Sequence, residues 1–478
     1  MDPPLAGLDS NTIGFEPQSF FTKRPLRCHF PLKFREFCLL NWIWLILVLA
    51  SVLCGAFSGK MEAVTAASLD SAKTAVTLAI GLVGVMAFWL GIMKVAQDAG
   101  LLRVLARALK PLMHRLFPGV PAEHPGMSAM IMNLSANMLG LGNAATPFGL
   151  KAMIELNKLN KRPGVATDAM CLFAAINTSN VAILPLGVIA LRASMDSVAP
   201  ASILITTFLA TLFSTCVAIT ISKIFVRLPM FAADRHPIDE DIVVDAAAGD
   251  DIEIPEEASI DPATTKNKWV LSLILVFCVL MGWATFSHIT TAMSQPDANL
   301  GDVVRTMLSH WLLPLLIVGF LLYGTAKDVK VYGSLVSGAK EGFDVALKII
   351  PFLVAILVAV GMFRASGAME LLVSALNPLT SLVGFPGEAL PMALLRPLSG
   401  SGAYGIAAEI MQTNGPDSFV GFLVSTMQGS TETTFYVLAL YFGAAGIRYA
   451  RHALAACLIA DAAGILGAFV VCSYFFAG

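Results

Sequence analysis

Charge is scarce in this sequence. Only 13% of its 478 residues are Asp, Glu, Lys or Arg, against ~25% in a soluble domain. With 56% of the chain apolar, this composition argues against a water-soluble globule and places the protein in a bilayer. The net charge of -2 leaves no excess of either sign, and no nucleic-acid partner is expected. CxxC pairs are missing as well. The eight cysteines form no framework: Cys54, Cys171, Cys216, Cys278, Cys457 and Cys472 sit in apolar runs, as small packing residues rather than disulfide or metal ligands. His114, His124, His236, His288, His310 and His452 are scattered near loop ends, so no metal site is expected. No Walker A run, HExxH or GxSxG occurs, and the glycines between Gly140 and Gly149 follow no strand. The chain is expected to be no enzyme and to need no cofactor.

What is present is a series of long apolar runs. The first, Leu39 to Phe57, holds 19 residues without a charge, enough to cross about 30 Å of hydrocarbon. It follows 38 residues, too long a leader for an ordinary signal peptide, and is read as an anchor. Further runs of spanning length occupy residues 74 to 93, 169 to 191, 201 to 222, 269 to 290, 308 to 326, 345 to 363, 418 to 447 and 453 to 476. Together these predict about nine spans. Two shorter stretches, 127 to 150 and 390 to 411, are apolar but crowded with Gly, Ser, Asn and Pro, as in a re-entrant hairpin.

Lys and Arg are unevenly shared between the loops, and the positive-inside rule turns that into a topology. Lys23, Arg24, Arg27, Lys33 and Arg35 place the N-terminus in the cytoplasm. Arg103, Arg107, Lys110 and Arg115 precede the 127 to 150 stretch, while Lys151, Lys158, Lys161 and Arg162 follow it. A hairpin entering from the cytoplasm keeps both basic loops inside; a span would put one of them outside. Residues 365 to 389 and 412 to 417 contain no Lys or Arg, so the 390 to 411 stretch reads as a hairpin entering from outside.

A phrase recurs at these two hairpins. Ala108, Leu109, Lys110, Pro111, Leu112 is echoed by Ala375, Leu376, Asn377, Pro378, Leu379, and Gly119, Val120, Pro121, Ala122, Glu123 by Gly384, Phe385, Pro386, Gly387, Glu388. Five spans separate equivalent points, which predicts an all-α polytopic membrane protein built of two inverted-topology repeats, about nine spans plus two re-entrant hairpins. Were the hairpins true spans, the copies would be parallel. The expected organisation is a cytoplasmic tail over 1-38, a first repeat over 39-226, an acidic cytoplasmic linker over 227-267 and a second repeat over 268-478. The linker carries eleven Asp and Glu between Asp234 and Asp261 without EF-hand spacing, and reads as a solvated connector.

Polar residues at membrane depth are expensive unless they face water, a ligand or each other. Asn133, Asn137, Asn143 and Thr146 lie in the first hairpin, Ser399 and Ser401 in the second. Asn177 and Asn180 interrupt one span; Gln428, Ser430, Thr431 and Glu432 interrupt its counterpart. These twelve are the expected lining of a site for a small polar solute, although small residues also serve helix packing. Glu432, Asp461 and Glu409 are the candidate ion-coupling carboxylates, for Na+ or H+. Arg396 belongs with them, or forms a structural pair with Glu409 or Glu432.

Asn133 to Met153, with Leu-Gly-Leu-Gly-Asn-Ala-Ala-Thr-Pro at its centre, closely resembles spore maturation protein A. Met392 to Glu409 and Met427 to Phe435 closely resemble spore maturation protein B, so the chain looks like the two fused end to end. That family is grouped with the nucleoside recognition or gate domain, as are concentrative nucleoside transporters and the membrane part of an iron transporter. The Gln-Thr-Glu-Ala-Pro signature of the nucleoside transporters is echoed only in part, at Asn143 to Pro147 and Gln428 to Thr433. The resemblance implies a transport-type membrane fold with paired hairpins, in a bacterial cytoplasmic (inner) membrane. The expected function is therefore a secondary transporter or exporter of a small polar solute, nucleoside-like or a small organic anion. The alternative is a non-transporting membrane scaffold for envelope or spore-type maturation. The lipid bilayer is a partner in either case, and a homo-oligomer is expected by fold analogy.

Overall fold

The computed structural model describes residues 36–235, 268–294, 300–380 and 384–477. Most of the expected tail and linker therefore lies outside the described residues. Among those described, helices make up the fold and no strand is formed. The first half begins with α1 (Glu36–Ser58) and the 38-residue α2 (Met61–Asp98). Gly100, at φ +82°, turns the chain into α3 (Leu101–Leu116), a conformation that costs glycine little. α4 (Pro125–Met138) and α5 (Gly142–Lys158) then pack together as a hairpin. α6 (Asp168–Thr178), α7 (Leu186–Ser194) and α8 (Ile203–Val226) complete this half.

The second half opens with α9 (Lys268–Met293) and α10 (Leu300–Ala326) and then repeats the earlier order. The 35-residue α11 (Val331–Ala365) meets α12 (Ala368–Thr380) through Gly367, again at positive φ, and the chain bends there by 79°. α13 (Leu390–Leu395) and α14 (Gly400–Asn414) form the second hairpin, followed by α15 (Phe419–Ser430), α16 (Thr434–Ala444) and α17 (Ala453–Ala477). α3 and α12, which carry the repeated phrase, each hold a proline, Pro111 and Pro378.

Four helices are long and apolar enough to cross a membrane by themselves: α2, α8 with the short turn before it, α9 and α17; the bent α11–α12 pair makes a fifth. The chain is thus a helical, multi-pass membrane protein by length and composition. Two of the runs, 169 to 191 and 418 to 447, are pairs of short helices, broken where Asn177 to Asn180 and Gln428 to Glu432 interrupt the apolar sequence. An apolar count over such a window reports burial, and polar residues too few to change the average still end the helix.

The most extensive packing is between α2 and α11, which run antiparallel: Gly342 lies against Ala87, Gly338 against Leu90, and Gly361 against Ser71. A Cβ at Gly342 would stand 2.6 Å from the Ala87 Cα, so glycine sets the distance between these backbones. α8 and α17 are also antiparallel. Ser214 donates its hydroxyl to the Ala460 carbonyl at 2.7 Å, and Gly467 lies against Ala210 and Phe213. α9 packs against α10 and otherwise exposes Trp269, Leu273, Trp283 and Phe286, as a lipid-facing helix does.

Candidate functional site

Two helices stop part-way, and they stop at the same place. After Thr178 the chain is irregular until α7 begins at Leu186; after Ser430, Thr431 to Thr433 separate α15 from α16. Local chemistry explains the stops. Thr178 and Ser179 donate their hydroxyls to the Ala175 carbonyl, Ser430 donates to Met427, and Pro185 has no N–H to offer a helix. The two breaks touch, because the Glu432 N–H donates to the Thr178 carbonyl at 2.7 Å.

Each hairpin tip seats on the break of its own half. The Ile183 N–H donates to Met138 O at 2.9 Å, and Gly140, at φ +75°, lies too close to the Leu184 carbonyl for any side chain. In the second half the Phe435 N–H donates to Pro397 O at 3.3 Å and Arg396 Nη1 to Thr433 Oγ1 at 3.5 Å. Ser399 caps α14 by accepting from the Gly402 N–H at 3.0 Å, which orients that helix N-terminus.

Between the tips and the breaks lies a cavity of about 480 Å³. Asn137, Asn180, Ser401, Gln428, Thr431 and Glu432 line it together with Arg396. Asn180 Oδ1, Gln428 Oε1, Thr431 Oγ1 and Arg396 Nε are buried there without a hydrogen-bond partner. An unmet buried polar atom costs about 1–3 kcal/mol, so four at one cavity call for a polar occupant. The first turns of α5, α7 and α14 also face it, at Gly142, Leu186, Gly187, Gly400 and Ser401, bringing the partial positive charge of helix N-termini. Glu432, half-exposed, opposes them 4.0 Å from the Arg396 guanidinium. The wall therefore offers N–H donors together with a carboxylate and three carboxamides.

The remaining expected residues are placed differently. Asn133 donates to Ala145 O at 2.8 Å and to the Tyr441 hydroxyl at 3.1 Å; that hydroxyl donates to Asn177 Oδ1, which also accepts from Asn137 at 3.0 Å. This network pins the first hairpin to α16 of the other half. Thr146 bonds back to Gly142 within its own helix. Asn143 lies in the first turn of α5, with its side chain outside the described residues. Asp461 is buried in α17, where Oδ2 accepts from the Thr434 hydroxyl at 2.6 Å and Oδ1 has no partner. Glu409 pairs with Arg364 of α11 at 2.8 Å and is absent from the cavity wall; of the two partners considered for Arg396, Glu432 is the one at hand. Tyr404, not singled out in the sequence, lines the cavity and donates its hydroxyl to Gly187 O at 3.0 Å. Its signal was the Ser-Gly-Ser-Gly-Ala-Tyr context, which put one aromatic among residues with almost no side chain.

Away from the cavity the two halves are tied to each other at two more places. The fully buried Arg192 donates to Asp417 Oδ1 at 2.7 Å, to Pro416 O at 2.5 Å and to Ser197, and stacks over Phe422 at 5.1 Å. Burial lowers its pKa to about 10, with Asp417 opposing the shift, so it stays charged. Elsewhere Arg451 donates to Asp168 at 2.6 Å and to the carbonyls of Ala166 and Phe231, beside a backbone bridge between Val165 and Tyr449. Its neighbour His452 is buried with neither ring nitrogen bonded. Burial, with Arg451 nearby, pushes that imidazole down to about 4.

Comparison with known proteins gives two kinds of match. Residues 79–230 and 346–448 match the family model named Gate and described as nucleoside recognition. Spore maturation protein B of Bacillus subtilis (strain 168) is 47% identical over 169 residues, 35% of this chain and 95% of that protein. Spore maturation protein A of the same organism is 41% identical over 187 residues, 39% of this chain and 95% of that protein. No solved structure matches the chain.

Proposed function

The chain belongs to the Gate family of nucleoside recognition proteins, and from that premise we propose that it is a secondary transporter or exporter of a small polar solute. In this reading two inverted repeats, 39-226 and 268-478, alternate access to one site between their hairpin tips and broken helices. The antiparallel pairing of α2 with α11 and of α8 with α17, the elements at matching places in the two halves, supports an inverted relation. The loop charges support a cytoplasmic N-terminus in an inner membrane.

One observation carries the reading: four buried, unpartnered polar atoms surround a cavity where two broken helices cross. A scaffold has no use for such atoms and would pair them internally, so they weigh against the alternative. Arg396 and the helix N-termini suit an anionic or carbonyl-rich part of the solute, while Gln428, Asn180 and Glu432 suit its donors. A nucleoside-like solute and a small organic anion both satisfy this pattern. Among the candidate coupling carboxylates Glu432, Asp461 and Glu409, Asp461 is favoured for Na+ or H+, since one of its oxygens is bonded to Thr434 and the other has no partner.

The test is thermal stabilisation of the purified protein across nucleosides, dipicolinate-like acids and metal salts. At least one solute is expected to raise the Tm, and Glu432→Gln or Gln428→Ala to abolish the shift without lowering the ligand-free Tm by more than a few degrees. If no solute binds and both variants keep wild-type function in cells, the transport reading fails.

A further inference from the structure

A second cavity lies away from the site above. It measures about 540 Å³ and is enclosed by α3, the end of α2 and the first hairpin. One wall is basic: Arg103, Arg107 and Lys110 follow one another at helical spacing on a single face of α3. Another wall is apolar, made by Leu102, Ile131, Met132 and Phe148. Asp98 is the one carboxylate at the rim, and it already pairs with Lys94 one turn earlier at 3.4 Å. No ion pair is formed by Arg103, Arg107 or Lys110 among the described residues.

α3 itself behaves as a helix lying at a membrane surface. It turns off the end of the apolar α2 at Gly100, buries Leu102, Ala106 and Met113 against the protein, and leaves Val104 and Leu112 half exposed. The counterpart helix α12 carries the same Ala-Leu-x-Pro-Leu phrase but has Glu370, Ser374 and Asn377 where α3 has Arg103, Arg107 and Lys110. The repeat therefore kept the helix in both halves and placed the cations in one. Packing does not require them.

We propose that the groove between α3 and the first hairpin binds an anionic phospholipid, with its phosphodiester headgroup held by Arg103, Arg107 and Lys110 and an acyl chain laid along Leu102, Ile131, Met132 and Phe148. Three cations facing one cavity complement a phosphate, and the apolar wall distinguishes a lipid from a free phosphate, which has nothing to set against it. The groove borders the first hairpin, so the lipid holds the helix that leads into that hairpin.

The test compares the full-length protein in nanodiscs of phosphatidylglycerol and of phosphatidylcholine, with inorganic phosphate added to the latter as a third arm. Phosphatidylglycerol is expected to raise the Tm by several degrees over phosphatidylcholine. Replacing Arg103, Arg107 and Lys110 together by Gln should remove most of that difference while leaving the Tm in phosphatidylcholine unchanged. Arg115→Gln with Lys161→Gln, outside the groove, should keep it. Native mass spectrometry of the unmodified protein should show a retained phosphatidylglycerol and no retained phosphatidylcholine, a readout that does not depend on any variant folding. The proposal is overturned if the control pair removes the effect as fully as the triple variant, if inorganic phosphate reproduces it, or if no anionic lipid is retained.

Discussion

Thr178 accepts a hydrogen bond from the backbone N–H of Glu432 at 2.7 Å, and that bond joins the interrupted helix of one half to the interrupted helix of the other. A helix that stops inside a membrane leaves carbonyls and N–H groups unmet. Here the Glu432 N–H of one break meets the Thr178 carbonyl of the other, so each satisfies part of its counterpart's need. The cavity forms around this crossing, with lining residues from both halves.

Arg192 and Asp417 are expected to couple energetically. Arg192 is fully buried while Asp417 keeps 40% of its side chain in solvent, so the pair should contribute less than a buried one, about 1–2 kcal/mol. A double-mutant cycle of Arg192→Met and Asp417→Ala, read by thermal unfolding in detergent, measures it. Additive effects would show that the two residues act independently.

Gly149 has no room for a side chain, since a Cβ there would fall on the Tyr441 hydroxyl. Gly149→Ala should lower stability by about 1–3 kcal/mol and loosen the Asn133–Tyr441–Asn177 network. Gly443→Ala, exposed in α16 with nothing near its Cβ position, should raise stability by about 0.5–1 kcal/mol. Equal melting temperatures for both variants would contradict this packing.

His452 should make the protein acid-sensitive. Its folded-state pKa of about 4 lies below the ordinary 6.5, so between those values the unfolded chain binds the extra proton and stability falls as the pH is lowered. The contribution is about 3 kcal/mol, fully present above pH ~6.5. His452→Phe, beside the Phe231 ring, should flatten the Tm-against-pH curve across that window. An unchanged slope would assign the acid sensitivity elsewhere.

The halves should find each other when expressed as separate chains divided within residues 236–267. Both fragments are expected to co-purify and to recover any solute-dependent Tm shift, whereas either one alone should give neither. A single half that binds solute unaided would contradict a cavity lined from both sides.

Much of this site could be read from the sequence because membrane burial makes polar residues conspicuous. Asn180, Gln428, Thr431 and Glu432 stood out from their apolar neighbours, and they line the cavity. What could not be read was which polar groups satisfy one another at long range. Asn133 is bonded to Tyr441 and Glu409 to Arg364, partners far along the chain, and no local pattern announces them. The breaks in the spans were legible by contrast: Asn177, Asn180 and Gln428 to Glu432 interrupt the apolar runs 169 to 191 and 418 to 447, and the backbone leaves the helix there, where Thr, Ser and Pro offer it other bonds.

The antiparallel seam of α2 and α11 carries a consequence for dosage. Its glycines let the two backbones approach closely, so a half made in excess would leave that face uncovered, open to misassociation or proteolysis. Joining both halves in one polypeptide fixes their ratio at one to one and holds them at a high effective concentration. Any imbalance in supply is removed before folding begins.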